Sequence, residues 1–140
     1  MKQRVLLSIR GRQSYLDQEP EIIELVTEGV LESRDNGWEL VYEESDLTGL
    51  EGVTTAFSME NGKVTLTRTG KLHSQMVFSP GFVHESLYQS EFGALMICVC
   101  ATKVDYSITP EGGIVDLVYN IEIEHNAAGM IDYHLKIQPK

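Results

Sequence analysis

The sequence predicts an all-β fold, an up-and-down antiparallel barrel of about ten strands, from three observations. Turn signals recur roughly every ten residues. The runs between them are rich in Val, Ile, Leu, Thr and Tyr and alternate apolar with polar residues. The connections are short, so each strand pairs with the next, and closing the sheet removes the edges that an open sheet of that width would expose. A β-sandwich is the alternative arrangement of the same strands.

The first run, Lys2 to Gln13, places Val5, Leu7 and Ile9 on one side. Ser14 to Glu21 is expected to form at most a helical turn. In the second run, Ile22 to Glu32, the apolar set Ile23, Leu25 and Leu31 alternates with Glu24, Glu28 and Glu32, so the glutamate face is the wet one. A turn at Asp35-Asn36-Gly37 leads to Trp38, Leu40 and Tyr42, and Thr48 to Gly52 reads as a longer loop. Val53 to Glu60 and Lys63 to Thr69 flank Asn61-Gly62, whose residues suit the positive φ angles of a type I′ hairpin. A turn at Gly70-Lys71 precedes Leu72 to Phe78, and Ser79-Pro80-Gly81 precedes Val83 to Ser90. Two long runs, Phe92 to Tyr106 and Ile114 to His125, flank Thr109 to Gly113, and Gly129 opens the last run, Met130 to Gln138.

Within the eighth run, Ala94 to Ala101 is apolar on both faces, although a barrel wall needs only one such face. Its outer side is therefore expected to be covered, by Ser14 to Glu21 or by the same strand of a second copy in a two-fold homodimer.

A chain of 140 residues with 42% hydrophobic and 23% charged residues has the composition of one globular domain, residues 1–140. At that size it buries about 65–70% of its unfolded surface and needs no staple. Eleven basic against twenty-one acidic residues leave a net charge of −10, which repels nucleic acid and anionic membranes, so neither is expected as a partner. Met1 to Arg10 lacks the apolar core of a signal peptide, and no run has the length of a membrane-spanning helix, so the expected location is the cytoplasm. Cys98 and Cys100 sit two apart in one strand, with Cα atoms about 6.6 Å apart and parallel side chains, a poor geometry for a disulfide. They read as reduced structural thiols, and one C-x-C without further ligands is an incomplete metal site.

Several short segments, in order, resemble the YwiB-like family of uncharacterised bacterial (Firmicute-type) β-barrel proteins: Ile23-Glu24-Leu25-Val26-Thr27-Glu28-Gly29, Tyr42-Glu43-Glu44-Ser45, Arg68-Thr69-Gly70, Met76-Val77-Phe78 with Gly81, and Gly112-Gly113 before Val118-Tyr119. The resemblance spans nearly the whole chain. It implies a lipocalin/calycin-like barrel and brings neither an established function nor catalytic residues.

The chain holds no P-loop, no dinucleotide-binding glycine pattern, no G-x-S-x-G and no H-E-x-x-H. His73, His84, His125 and His134 lack metal-ligand spacing and read as surface residues. No cofactor, metal or catalytic residue is expected. The informative residues are polar ones on the inward, apolar parity, because a buried polar group needs a partner or a ligand. Tyr42 and Glu44 share the parity of Trp38 and Leu40, and Arg68 shares that of Val64 and Leu66. In an up-and-down barrel the C-terminal ends of alternate strands meet at one rim, so Gln13, Glu44, Arg68 and Tyr88 should gather there, with the phenols of Tyr119 and Tyr133 added to the interior. The expected function is non-catalytic binding of a small apolar or anionic ligand inside the barrel, by Arg68, Glu44, Tyr42, Tyr88 and Tyr119. The alternative is a structural or protein-interaction barrel whose core fills itself, braced by an Arg68–Glu44 ion pair.

Overall fold

Strict alternation along the chain is realised as ten antiparallel strands in the computed structural model, which describes residues 2–15, 18–45 and 50–140. They are β1 (Lys2–Tyr15), β2 (Glu21–Arg34), β3 (Gly37–Glu43), β4 (Val53–Glu60), β5 (Lys63–Gly70), β6 (Leu72–Phe78), β7 (Val83–Ser90), β8 (Gly93–Thr109), β9 (Gly112–Ile123) and β10 (Asn126–Pro139). Each pairs with its neighbours in sequence, and β1 pairs with β10 from Val5↔Pro139 to Tyr15↔Gly129, closing a barrel. The chain is all-β and up-and-down, not a sandwich.

Parity decides what fills the interior. Val5, Leu7 and Ile9 of β1, Phe57 and Met59 of β4, Val64 and Leu66 of β5, Leu117 of β9 and Leu135 and Ile137 of β10 point inward and form one buried cluster. Glu24 and Glu28 face solvent from β2, and Glu28 meets Lys140. Asn61 and Gly62 have φ of 53° and 75°, the left-handed pair that a two-residue hairpin of the favoured twist requires.

Three local features differ from the sequence reading. No helical turn forms in the described part of Ser14 to Glu21: Ser14 and Tyr15 pair with Met130 and Gly129, and Glu21 pairs with Gln13. Strand pairing takes these residues, so they do not cover β8, whose outer-face side chains have Leu87 and Val83 of β7 as cross-strand neighbours through Leu87↔Met96 and Val83↔Cys100. Of the expected loop Thr48 to Gly52, residues 48 and 49 lie outside the described set. The β9–β10 turn falls at Glu124 and His125, with φ of 52° and 66°, three residues earlier than glycine placement suggests. Glu124 is fixed there by its own amide on the Met96 carbonyl (2.8 Å) and by its carboxylate accepting the Met96 amide (2.7 Å), which outweighs the cost of a left-handed non-glycine residue.

The wall is uneven. Strands β6 and β7 pair in register only at Leu72↔Ser90 and His73↔Gln89. Beyond that point the His84 ring accepts the Val77 amide through Nδ1 at 3.3 Å, and the Gly81 amide bonds the Ala101 carbonyl of β8. A side seam therefore runs down the barrel between β6 and β7.

Candidate functional site: a cavity at one barrel end

One cross-strand row builds the polar part of the interior. Tyr42 on β3 stands opposite Thr55 on β4, Thr55 opposite Arg68 on β5, and Arg68 opposite Ser74 on β6. Opposed residues share a face, so all four line the inner wall. Just past β3, the Glu44 amide bonds the Val53 carbonyl at 2.9 Å, which carries the alternation one step on and turns Glu44 inward as well. Its side chain is only 2% exposed.

The Thr55 hydroxyl donates to Glu44 Oε2 at 2.6 Å, and Arg68 Nε lies 4.0 Å from the same oxygen. That spacing is an ion pair without a hydrogen bond. Arg68 Nε and Ser74 Oγ are both buried with no hydrogen-bond partner among the described residues. The phenol oxygens of Tyr42 and Tyr133 are 3.5 Å apart. Burial, reinforced by the Glu44 charge, pushes the Tyr42 phenol up to about 12, and burial with Tyr42 beside it pushes Tyr133 well above the ordinary value. Both rings are thus neutral at physiological pH and present hydrogen-bonding hydroxyls to a low-dielectric interior.

Of these groups Tyr42, Glu44, Arg68 and Tyr133 border a cavity of about 230 Å³, and Thr55 and Ser74 stand behind them in the wall. Its walls are mainly apolar, with Ile9, Leu25, Phe57, Leu66, Met76 and Leu117 among them. Phe57 is ring-packed with Tyr133 at 5.7 Å and Phe78 with Tyr119 at 4.5 Å, which fixes the two phenols. Gly11 contributes bare backbone: a Cβ there would meet nothing nearer than Tyr133 Cδ2 at 4.0 Å. Away from the cavity the barrel is filled by fully buried Val5, Leu31, Leu40, Met59, Val64 and Leu135. At that filled end the Gly62 amide donates to the Tyr106 hydroxyl at 3.0 Å.

Arg68, Glu44, Tyr42, Tyr88 and Tyr119, named from parity, all border this one cavity, as do Gln13 and Tyr133. Thr55, Ser74 and Gly11 were missed. Their signal is the same parity: Thr55 precedes Phe57 by two, Ser74 precedes Met76 by two, and Gly11 follows Ile9 by two. Of the histidines, His84 is half-buried in the side seam, where its ring meets the Val77 amide of the neighbouring strand, and His134 sits on the outer face beside Asp116. His134 and Asp116 belong to an outer groove with Arg10, Arg12 and Asp132. Among the described residues no group of three or more His, Cys, Asp or Glu is arranged to hold a metal ion.

A family model described as a domain of unknown function, DUF1934, matches residues 7–137. The crystal structure of the ywiB protein from Bacillus subtilis is similar at a TM-score of 0.89 and 19% sequence identity, covering 99% of this chain and 93% of that one. At that identity the likeness establishes a shared fold. No curated protein matches the chain significantly.

Proposed function

This chain belongs to the DUF1934 family, a domain of unknown function, and we propose that its barrel is a non-catalytic binding module for a small molecule held in the interior. The observation that carries this reading is the cavity itself: about 230 Å³ with apolar walls and polar groups gathered at one side. Binding sites for small molecules have this composition, with a few placed polar groups fixing orientation. An apolar cavity of about 150 Å³ accommodates benzene, so the volume suits a single ring or short branched chain carrying a head group. A lipocalin-like use of the barrel, with the ligand lodged between strands, is part of the same reading. The cavity favours binding over a purely structural barrel, whose interior would close on itself.

The test is native mass spectrometry of protein purified from cells, followed by thermal melting across a panel of small metabolites. The reading predicts a retained mass or a ligand-dependent rise in melting temperature. Repeated recovery of the bare chain, with no rise for any compound, contradicts it.

The proposal extends to assembly and location. Val83 and Leu87 of β7 are exposed beside Met96, Cys98 and Cys100 on the outer face of β8, a largely apolar patch flanked at Cys98 by Glu85 and Glu122 and suited to pairing two copies of the chain through the Ala94 to Ala101 strand. Both cysteines are free thiols, consistent with the reducing cytoplasm. Sedimentation at tens of micromolar distinguishes a dimer from a monomer.

A further inference from the structure

The geometry points to a zwitterion with an apolar side chain, an α-amino acid of about leucine or phenylalanine size, as the ligand of the cavity; this rests on the binding reading above. Two buried groups, Arg68 Nε and Ser74 Oγ, lack hydrogen-bond partners among the described residues and stand opposite one another on neighbouring strands. Both can donate a hydrogen, and buried polar atoms left unmatched are costly enough to be uncommon in native folds. Arg68 borders the cavity and Ser74 lies behind it, so a ligand carboxylate takes its charge-assisted bond from the guanidinium.

The head group cannot be read from Arg68 alone. Glu44 also borders the cavity, with Oε2 only 4.0 Å from Arg68 Nε, so among the described residues the polar wall carries one positive and one negative charge and sums to zero. A simple anion beside Arg68 would stand within a few ångströms of the Glu44 carboxylate and leave excess negative charge in a low-dielectric interior, within a chain already at −10. A simple cation beside Glu44 meets Arg68 in the same way. An α-amino acid bears its carboxylate and ammonium on one carbon, with a charge separation comparable to that of the Arg68–Glu44 pair. Its carboxylate faces Arg68, its ammonium faces Glu44, and its addition leaves the net charge unchanged. Glu44 keeps the Thr55 hydrogen bond throughout, because a carboxylate has acceptor sites beyond the one Thr55 uses. The side chain then enters the apolar space bounded by Ile9, Phe57, Leu66 and Met76, where Gly11 leaves room.

Calorimetric titration with compounds that share one tail and differ only in head group separates the possibilities: L-phenylalanine, 3-phenylpropionate, 2-phenylethylamine and the neutral 2-phenylethanol. A parallel series with the leucine side chain controls for tail size. The inference predicts that the amino acid of at least one series binds tenfold or more tighter than both its anion and its amine. Equal or tighter binding of the anion or of the amine overturns the zwitterion assignment. Binding of the neutral alcohols without any charged compound overturns the assignment while leaving the cavity as a binding site. No binding in either series overturns the zwitterion assignment, and the native mass spectra and metabolite panel then decide the binding reading separately.

Discussion

Glu44 and Arg68 are not equivalent partners, because the carboxylate is almost sealed from water whereas the guanidinium side chain is 20% exposed at the cavity rim. Removing Arg68 strands a buried anion that loses its neighbouring positive charge, while removing Glu44 leaves a cation that still reaches solvent. Arg68→Met is therefore expected to destabilise by roughly 2–4 kcal/mol and Glu44→Gln by about 1–2 kcal/mol. The double variant should recover most of the larger loss in a urea-denaturation cycle. Additive losses in the double variant would show that the two charges are not coupled. The phenols give a second expectation. Tyr42 titrates near 12 in the folded barrel and near 10 when unfolded, so the native state keeps a proton that the unfolded chain has lost. Its stabilising contribution is intact below pH 10 and is lost as pH rises to about 12, with Tyr133 adding in the same direction. Stability should fall by up to ~1.4 kcal/mol per pH unit for each phenol in that window, measured as the shift of the urea midpoint. Tyr42→Phe should flatten the slope; an unchanged slope would place the Tyr42 phenol in water. At this scale the inward parity of Arg68, Glu44 and the tyrosines was legible from alternation alone. The missing hydrogen bonds at Arg68 Nε and Ser74 Oγ were not, because they depend on distances across four strands.

Strand β8 shows how far periodicity reads an element. Ile97 and Val99 lie in the core, whereas Met96 and Cys98 are half-buried on the outer face. Glutamate at both Ile97 and Val99 should abolish folding, and glutamate at both Met96 and Cys98 should leave a folded chain that sediments as a monomer. Unfolding by the second pair would show that the outer strip is internal packing. Past the bulge between Ala101 and Lys103 the parity shifts, so that Val104, Tyr106 and Ile108 are the half-buried set. A bulge adds one residue to one strand, and the local sequence offers no proline or glycine to mark it. The β9–β10 turn was misplaced for a related reason: Glu124 is fixed by Met96, remote in sequence, while the glycine at 129 falls beside a bulge. The side seam was equally invisible, since β6 and β7 each alternate normally. With only two registered pairs, amides along residues 74–78 and 83–87 should exchange with deuterium faster than those of β9, which pairs along its length on both sides. Equal protection across β6, β7 and β9 would mean that the seam closes in solution.

For the whole molecule, closure follows from ten consecutive strands, most of them apolar on one face, and this much the turn spacing and alternation already contained. The size of the interior did not follow, because strand number limits a barrel's width while the side chains decide how much of it stays empty. Here large residues fill one end, and a glycine at position 11 with a ring of phenols leaves about 230 Å³ at the other. That space is the central feature of the account, and Gly11 is the position from which to remove it. Its backbone is not left-handed, and a Cβ would find open space, so Gly11→Val should fold with stability equal to or above that of the parent while occupying part of the cavity. The direct measurement is the ligand-dependent shift in melting temperature of the parent and of Gly11→Val, with the compound that stabilises the parent most. The account predicts a shift for the parent and its loss in the folded variant. A shift of equal size in both proteins would place the ligand outside the barrel and contradict the account.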